Sequence, residues 1–228
     1  MDLENLENKE TLIKDFFTWL FDDNRIIDKD VTLEKEIDCT LAPNYLDAHI
    51  YYPKQISTFF DTTAMKRLGR ISQLGLAIED FPNVYHNRLE HSKGVYYKKL
   101  EEMLYNFTNN KWKTYIENHE FKLYLLADLI KMAGHDIGHL PLSHVLEEKI
   151  LSQRGAHEII GKRIMLENPQ IQSLLTSISP DLPNALKTLY EKHILNFQEH
   201  DESNYDVDRL DYISRDFLYA GNPVYIPH

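Results

Sequence analysis

The chain is expected to fold as an all-α helical bundle. Apolar residues recur at helical spacing through most of its 228 residues, Gly and Pro punctuate those runs, and no repeat or low-complexity segment interrupts them. Leu12, Phe16, Trp19 and Leu20 share one face of a first helix, with Thr11 as its cap. From about residue 25 to 53, β-branched residues mix with Asp, Pro43 and Pro53, which suits a short hairpin or an irregular arm. A helix through Phe59 to Leu68 follows, then a turn near Gly69 to Gly75 and an extended approach to Phe81 and Pro82. Further helices are expected over Arg88–Tyr105, Phe121–Ala133, Leu142–Leu151, His157–Leu166, Leu182–Leu195 and Val207–Tyr219, with stops at Gly134, Gly138, Gly155, Pro169 and Pro180. This places an N-terminal helix and arm at residues 1–53 and the core at 54–228. The last helix is followed by GNPVYIPH with no polar tail, so the core is expected to continue in a longer polypeptide.

Composition narrows the classes of function. Apolar residues at 43% and charged residues at 27% are those of a globular chain. The apolar run LYLLADLI is broken well short of the ~20 residues of a membrane span. The start MDLENLENKE lacks the basic and apolar regions of a signal peptide, so a cytoplasmic protein without membrane attachment is expected. Cys39 is alone, which excludes an internal disulfide and a thiolate metal cluster. A formal charge of −11 repels phosphate backbones, so general nucleic-acid binding is not expected. A small anionic substrate stays open where local cations and a metal overcome that field. Lys66 and Arg67 are expected to be solvated surface charges.

Chemistry concentrates in three strings: HNRLEHSKGV, AGHDIGHLPLSH and YDVDRLDY. They carry His91, His135, Asp136 and Asp208, a mixture of imidazole and carboxylate that suits a borderline divalent metal and leaves positions open for water and a phosphate oxygen. Adjacent His135 and Asp136 can reach one ion only where the helix is irregular, which Gly134 and Gly138 permit. Arg88 lies three residues before His91 on the same helical face, and Arg209 follows Asp208, so both can bring guanidinium groups toward phosphates. Asp208, Tyr212 and Asp216 recur at i, i+4 and i+8 along one stripe of a helix.

In order, QLG, FPNVYHNRLEHSKGV, AGHDIGHLPLSH, the later pair His157-Glu158 and DVDRLDYISRD resemble the HD-domain superfamily of metal-dependent phosphohydrolases, over about residues 66–220. Within it they are most similar to the deoxynucleoside triphosphate triphosphohydrolase branch, of dGTPase-like proteins and proteins joining a sterile alpha motif to an HD domain. The resemblance implies an HD-domain bundle with His91, His135, Asp136 and Asp208 holding Mn, Mg, Fe, Co, Ni or Zn between facing helices. It implies that His157 supplies protonation at the scissile phosphate, that Glu147 orients its ring, and that His139 and His144 line the phosphate cleft. It further implies that Gln73, Tyr212 and Asp216 contact a deoxyribose, that Leu74 packs under the ring or base, and that the protein is a homo-oligomer.

Three functions follow as alternatives. One is hydrolysis of dNTPs at the α-phosphate to deoxynucleoside and triphosphate. The second is an HD phosphohydrolase or phosphodiesterase acting on another nucleotide or a nucleic-acid end. The third is a non-catalytic regulatory or assembly module, which would have no need of His157 and Arg88 beside an intact quartet.

Overall fold

Glu7, Lys9 and Glu10 are good helix formers, and they carry the first helix, α1 (Leu6–Phe21), a full turn upstream of Thr11. Thr11 therefore lies inside the helix instead of capping it. The computed structural model describes residues 6–38, 49–109, 111–112, 118–149, 155–191 and 206–221. Ile13, Phe16, Phe17, Leu20 and Phe21 are buried along α1.

The arm forms a hairpin: β1 (Leu33–Ile37) and β2 (His49–Pro53) pair antiparallel, with Leu33 opposite Pro53 and Ile37 opposite His49. A two-stranded ribbon is marginal by itself. Ile50, Tyr51 and Tyr52 of β2 supply the missing support by burying into the helical core. The Gln55 amide also donates to the carbonyls of Asp28 and Asp30, at 3.3 and 3.0 Å.

The single helix expected through Phe59 is two, α2 (Lys54–Phe60) and α3 (Thr63–Leu68). Thr62 divides them: its hydroxyl donates to the Phe59 carbonyl at 2.8 Å and accepts from Met65 N at 3.4 Å, closing one helix and capping the next. After α3 the backbone turns back on itself. Gln73 N donates to the His86 carbonyl at 3.2 Å and Arg88 N to the Ile71 carbonyl at 3.0 Å, which lashes residues 71–73 to the entry of the long helix α4 (Arg88–Thr108). Asn87 and Glu90 form a reciprocal capping box at that entry.

Next come α5 (His119–Ala133), α6 (Ser143–Lys149), α7 (Ala156–Glu167), α8 (Pro169–Ile178), α9 (Leu182–Glu191) and α10 (Val207–Tyr219). Helix α8 is one that helical punctuation conceals. Pro169 starts it at a position that needs no N–H, while the Asn168 side chain accepts from Gln170 N and Ile171 N at 3.0 and 3.2 Å. The expected extensions of α6 to Leu151 and α9 to Leu195 lie outside the described residues.

Helix α5 is the centre of the core. Leu123, Leu125, Leu126, Ala127, Leu129, Ile130 and Ala133 are buried on nearly all its sides, as suits a helix enclosed by α1, α4 and α9. Two close approaches then set the site. Gly94 of α4 lies against Asp211 and Arg215 of α10, where any Cβ would collide with both side chains. Gly138, after α5, lies against the backbone of His157 and Gly161 on α7 in the same way. Among the described residues no helix is long and apolar enough to cross a membrane.

Candidate metal centre

The capping box fixes the first turn of α4 and with it His91, which is buried. Helix α5 ends at Ala133, and Gly134, where any Cβ would collide with Met165 and Phe59, leads into the turn that holds His135 and Asp136, both aimed at His91. Asp208 comes from the first turn of α10, which Asp206 caps by accepting from Arg209 N at 3.0 Å. Three separate elements thus bring ligand atoms of His91, His135 and Asp208 within 4.8 Å of one another, with Asp136 at the edge of the group, one oxygen turned to Arg88 and the other to His135. His91 Nε2 is 3.2 Å from His135 Nε2, 2.9 Å from Asp208 Oδ1 and 3.8 Å from Asp136 Oδ2. His135 Nε2 is 3.4 Å from Asp136 Oδ1 and 3.5 Å from Asp208 Oδ1.

This set fits a divalent cation on its own chemistry. The outward nitrogen of each imidazole is committed: His91 Nδ1–H donates to Asp211 Oδ2 at 2.8 Å and His135 Nδ1–H to the Met132 carbonyl at 2.9 Å. A carbonyl can only accept, and so can an ionised carboxylate, so both neutral rings present Nε2 lone pairs inward. Two lone pairs and two carboxylates facing one another repel unless positive charge sits among them. Neighbouring ligands held ~2.1 Å from an ion stand about 3.0 Å apart in an octahedron and about 3.4 Å in a tetrahedron. The separations among His91, His135 and Asp208 are 2.9, 3.2 and 3.5 Å, close to that range.

Burial opposes charge on His91, yet hydrogen bonds with Asp208 and Asp211 raise its pKa to about 9, so a proton competes with a metal ion for the Nε2 lone pair. Burial opposes charge on Asp136 too, but His135, His139 and Arg88 hold it well below the usual carboxylate range. Asp208 is likewise depressed against its burial, by His135 and His91. The field at this point favours anionic carboxylates around a positive charge.

No protein-family model matches the chain. A protein of Acanthamoeba polyphaga mimivirus, named for an HD domain, is 32% identical over 178 residues, which cover 68% of this chain and 38% of that protein. The deoxynucleoside triphosphate triphosphohydrolase SAMHD1 homolog of Dictyostelium discoideum is 26% identical over 205 residues, 85% of this chain and 39% of that one. The solved structure of a phosphohydrolase from Bacteroides thetaiotaomicron superposes with a TM-score of 0.62 at 28% identity, covering 82% of this chain and 42% of that one. The chain belongs to the HD-domain superfamily. It spans about two fifths of the length of the curated relatives it matches.

Around the HD pair His135-Asp136, the remaining expected residues fall into three groups. The first is a histidine pair beside the quartet. His139 Nε2 is 3.3 Å from Asp136 Oδ1, and its ring stacks on that of His157, with centroids 4.0 Å apart and planes inclined by 12°. His157 Nδ1 is held by both oxygens of buried Glu147, at 2.8 and 3.0 Å. Burial lowers the His139 pKa. His144 is in the first turn of α6, with its side chain outside the described residues.

The arginines form the second group. Arg88 is buried, and its guanidinium pairs with Asp136 at the edge of the quartet. Arg209 is exposed on α10. Arg67, expected as a solvated charge, instead donates to the carbonyls of His139 and Ile137 at 2.6 and 2.7 Å, pinning the turn that carries the HD pair. Lys66 does stay at the surface, paired with Asp61.

The third group is the sugar set. Gln73 and Leu74 lie half-buried in the turn lashed to α4, while Tyr212 and Asp216 follow Asp208 on α10, also half-buried.

Sequence reasoning passed over the residues behind the ligands. Asp211, which holds His91, is itself held by Arg215 through Nε and Nη2 at 3.0 and 2.9 Å, and Arg215 reaches Asp38 beyond β1 at 2.8 and 3.2 Å. The available signal was spacing: Asp208, Asp211 and Arg215 recur at i, i+3 and i+7 on one face of α10.

Proposed function

We propose that this chain is the catalytic domain of a metal-dependent phosphohydrolase that cleaves dNTPs at the α-phosphate, yielding deoxynucleoside and triphosphate. The observation that carries this reading is the juxtaposition of His91, His135 and Asp208, with Asp136 beside them, and a carboxylate-held histidine, His157 on Glu147, linked to them through the stacked ring of His139. A divalent ion in the quartet would polarise a phosphoryl oxygen and acidify water. The names of the Bacteroides phosphohydrolase and the Dictyostelium triphosphohydrolase homolog support the class and the substrate respectively.

The protein's own groups supply the remainder. Water adds to the α-phosphorus and the bond to the 5′ oxygen breaks, so the departing alkoxide needs a proton. With Nδ1 committed to Glu147, His157 exchanges that proton through Nε2, its tautomer and orientation set by the carboxylate. Arg88 places a buried positive charge beside Asp136, where phosphate oxygens would lie. His139, with its pKa lowered by burial, lines the same cleft as a neutral hydrogen-bonding group. Gln73 and Asp216 bond the 3′-hydroxyl, while Tyr212 and Leu74 pack against sugar and base.

Product analysis tests the proposal. Protein loaded with Mn or Mg is incubated with dNTPs, NTPs and single-stranded DNA. Release of tripolyphosphate from dNTPs is the expected result; orthophosphate, nucleoside monophosphate or DNA cleavage products instead would replace it with the broader phosphohydrolase reading.

A further inference from the structure

Two turns of α10 beyond the quartet lies a second histidine–carboxylate contact. His86 Nε2 is 3.0 Å from Asp216 Oδ1. The His86 side chain is fully buried, stacked on Tyr219 with centroids 4.9 Å apart and planes inclined by 27°, and Tyr85 closes edge-on over Tyr219 at 5.1 Å. Its main chain is equally fixed, for the His86 carbonyl accepts from Gln73 N and the next residue, Asn87, caps α4.

The polar atoms here are unsatisfied. Among the described residues neither ring nitrogen of His86, nor Asp216 Oδ1, Gln73 Oε1 or Ser72 Oγ, has a well-aligned hydrogen-bond partner, though each is buried. Buried polar atoms left so are costly, and natural proteins keep very few of them. They gather on residues 72, 73, 86 and 216, around the one carboxylate of the group that is partly exposed. Asp216 is the group that can receive a polar ligand, since its side chain is one-third exposed although Oδ1 is buried against the imidazole. The exposure therefore falls away from His86, toward Oδ2.

We infer that His86 is a positioning residue for Asp216: its Nε2, 3.0 Å from Oδ1, keeps that oxygen turned inward so that Oδ2 accepts a ligand hydroxyl. This rests on the deoxynucleotide reading above and adds to it the residue that sets how strictly the sugar hydroxyl is required. The same two segments carry both halves of the site. His86 and His91 flank the capping box, and Asp216 stands eight residues after Asp208, about 12 Å along the helix axis. Phosphate would be gripped at one end and the hydroxyl at the other.

Steady-state kinetics on the full chain with Mn separates this role from a structural one, using dGTP and its 3′-deoxy analogue ddGTP. His86→Ala is expected to raise KM for dGTP about tenfold, the worth of one charge-assisted hydrogen bond, while changing KM for ddGTP less than about twofold because no 3′-hydroxyl is present to be read. His86→Gln, which keeps a donor, should recover most of the loss, and both variants should bind Mn as the wild type does. Equal increases for both nucleotides, or an unchanged KM for dGTP, overturn the inference alone. Wild-type protein that hydrolyses neither nucleotide overturns the deoxynucleotide reading and the inference together.

Discussion

His91 and Asp211 meet in a 2.8 Å hydrogen bond between two buried side chains, one on α4 and the other on α10. That bond decides which nitrogen of His91 faces the quartet. It also explains why Gly94 sits one turn along α4, where a side chain would occupy the space of Asp211 and Arg215.

Asp211→Asn is therefore expected to weaken Mn binding by ~10- to 100-fold, the usual worth of a carboxylate behind a metal-ligating histidine. Far-ultraviolet circular dichroism should be unchanged. Isothermal titration with Mn gives the answer, and an unaltered dissociation constant removes Asp211 from the site.

Gly94→Ala tests the same contact by volume. The added methyl must displace Asp211 or separate α4 from α10, so a stability loss of about 1 to 3 kcal/mol is expected from overpacking. Mn affinity should fall with it. Urea unfolding combined with Mn titration reads both, and full retention of each would mean that the two helices can part without cost.

Asp208→Ala and Asp136→Ala should both abolish metal binding and turnover, but they should differ in stability. Asp208 is 43% exposed, so its loss leaves little behind. Asp136 is buried against Arg88, and removing one member of a buried pair typically costs ~3 to 5 kcal/mol because the other charge is stranded. Elemental analysis and thermal melts distinguish the two. Full metal occupancy in either variant would contradict the quartet.

His157→Ala is expected to retain Mn and nucleotide binding while losing ~10²- to 10⁴-fold in kcat, the range of general acid-base assistance. Glu147→Gln should show a smaller loss of the same kind, since an amide still accepts from Nδ1. An unchanged turnover number at saturating dGTP would take His157 out of the mechanism.

The grouping of His91, His135, Asp136 and Asp208 was legible because these residues sit in dense polar strings, while the pairing of His157 with Glu147 was an expectation of the family resemblance. What stands behind them was not legible. Asp211 and Arg215 look like ordinary surface charges of an amphipathic helix until α4 is laid across them, and only tertiary packing shows that Gly94 lets it approach that closely. Arg67 misleads for the same reason: nothing local reveals that its partners are carbonyls some 70 residues away. The fold errors are local and have local causes. Thr62 splits one helical run because its hydroxyl serves both ends, and Pro169 reads as a stop although Asn168 before it is a cap. The hairpin was left open because strand signals are weak where charged residues line one face, as in LEKEI.

Tyr212 carries the last test. It lies one turn past Asp208 and one turn before Asp216, half-buried, on the stripe that would join phosphate end to hydroxyl end. A ring packed against the sugar's 2′ carbon leaves no space for a further oxygen, and a ribonucleotide would bury its 2′-hydroxyl without a partner. That polar cost alone is about 1 to 3 kcal/mol, or roughly 5- to 150-fold in specificity. Wild-type protein is thus expected to favour dGTP over GTP by at least that order in kcat/KM, and Tyr212→Ala to narrow the ratio by admitting the extra oxygen while leaving Mn affinity intact. Equal constants for dGTP and GTP in the wild type would end the deoxynucleotide reading and leave a phosphohydrolase whose sugar is chosen by something other than this stripe of α10.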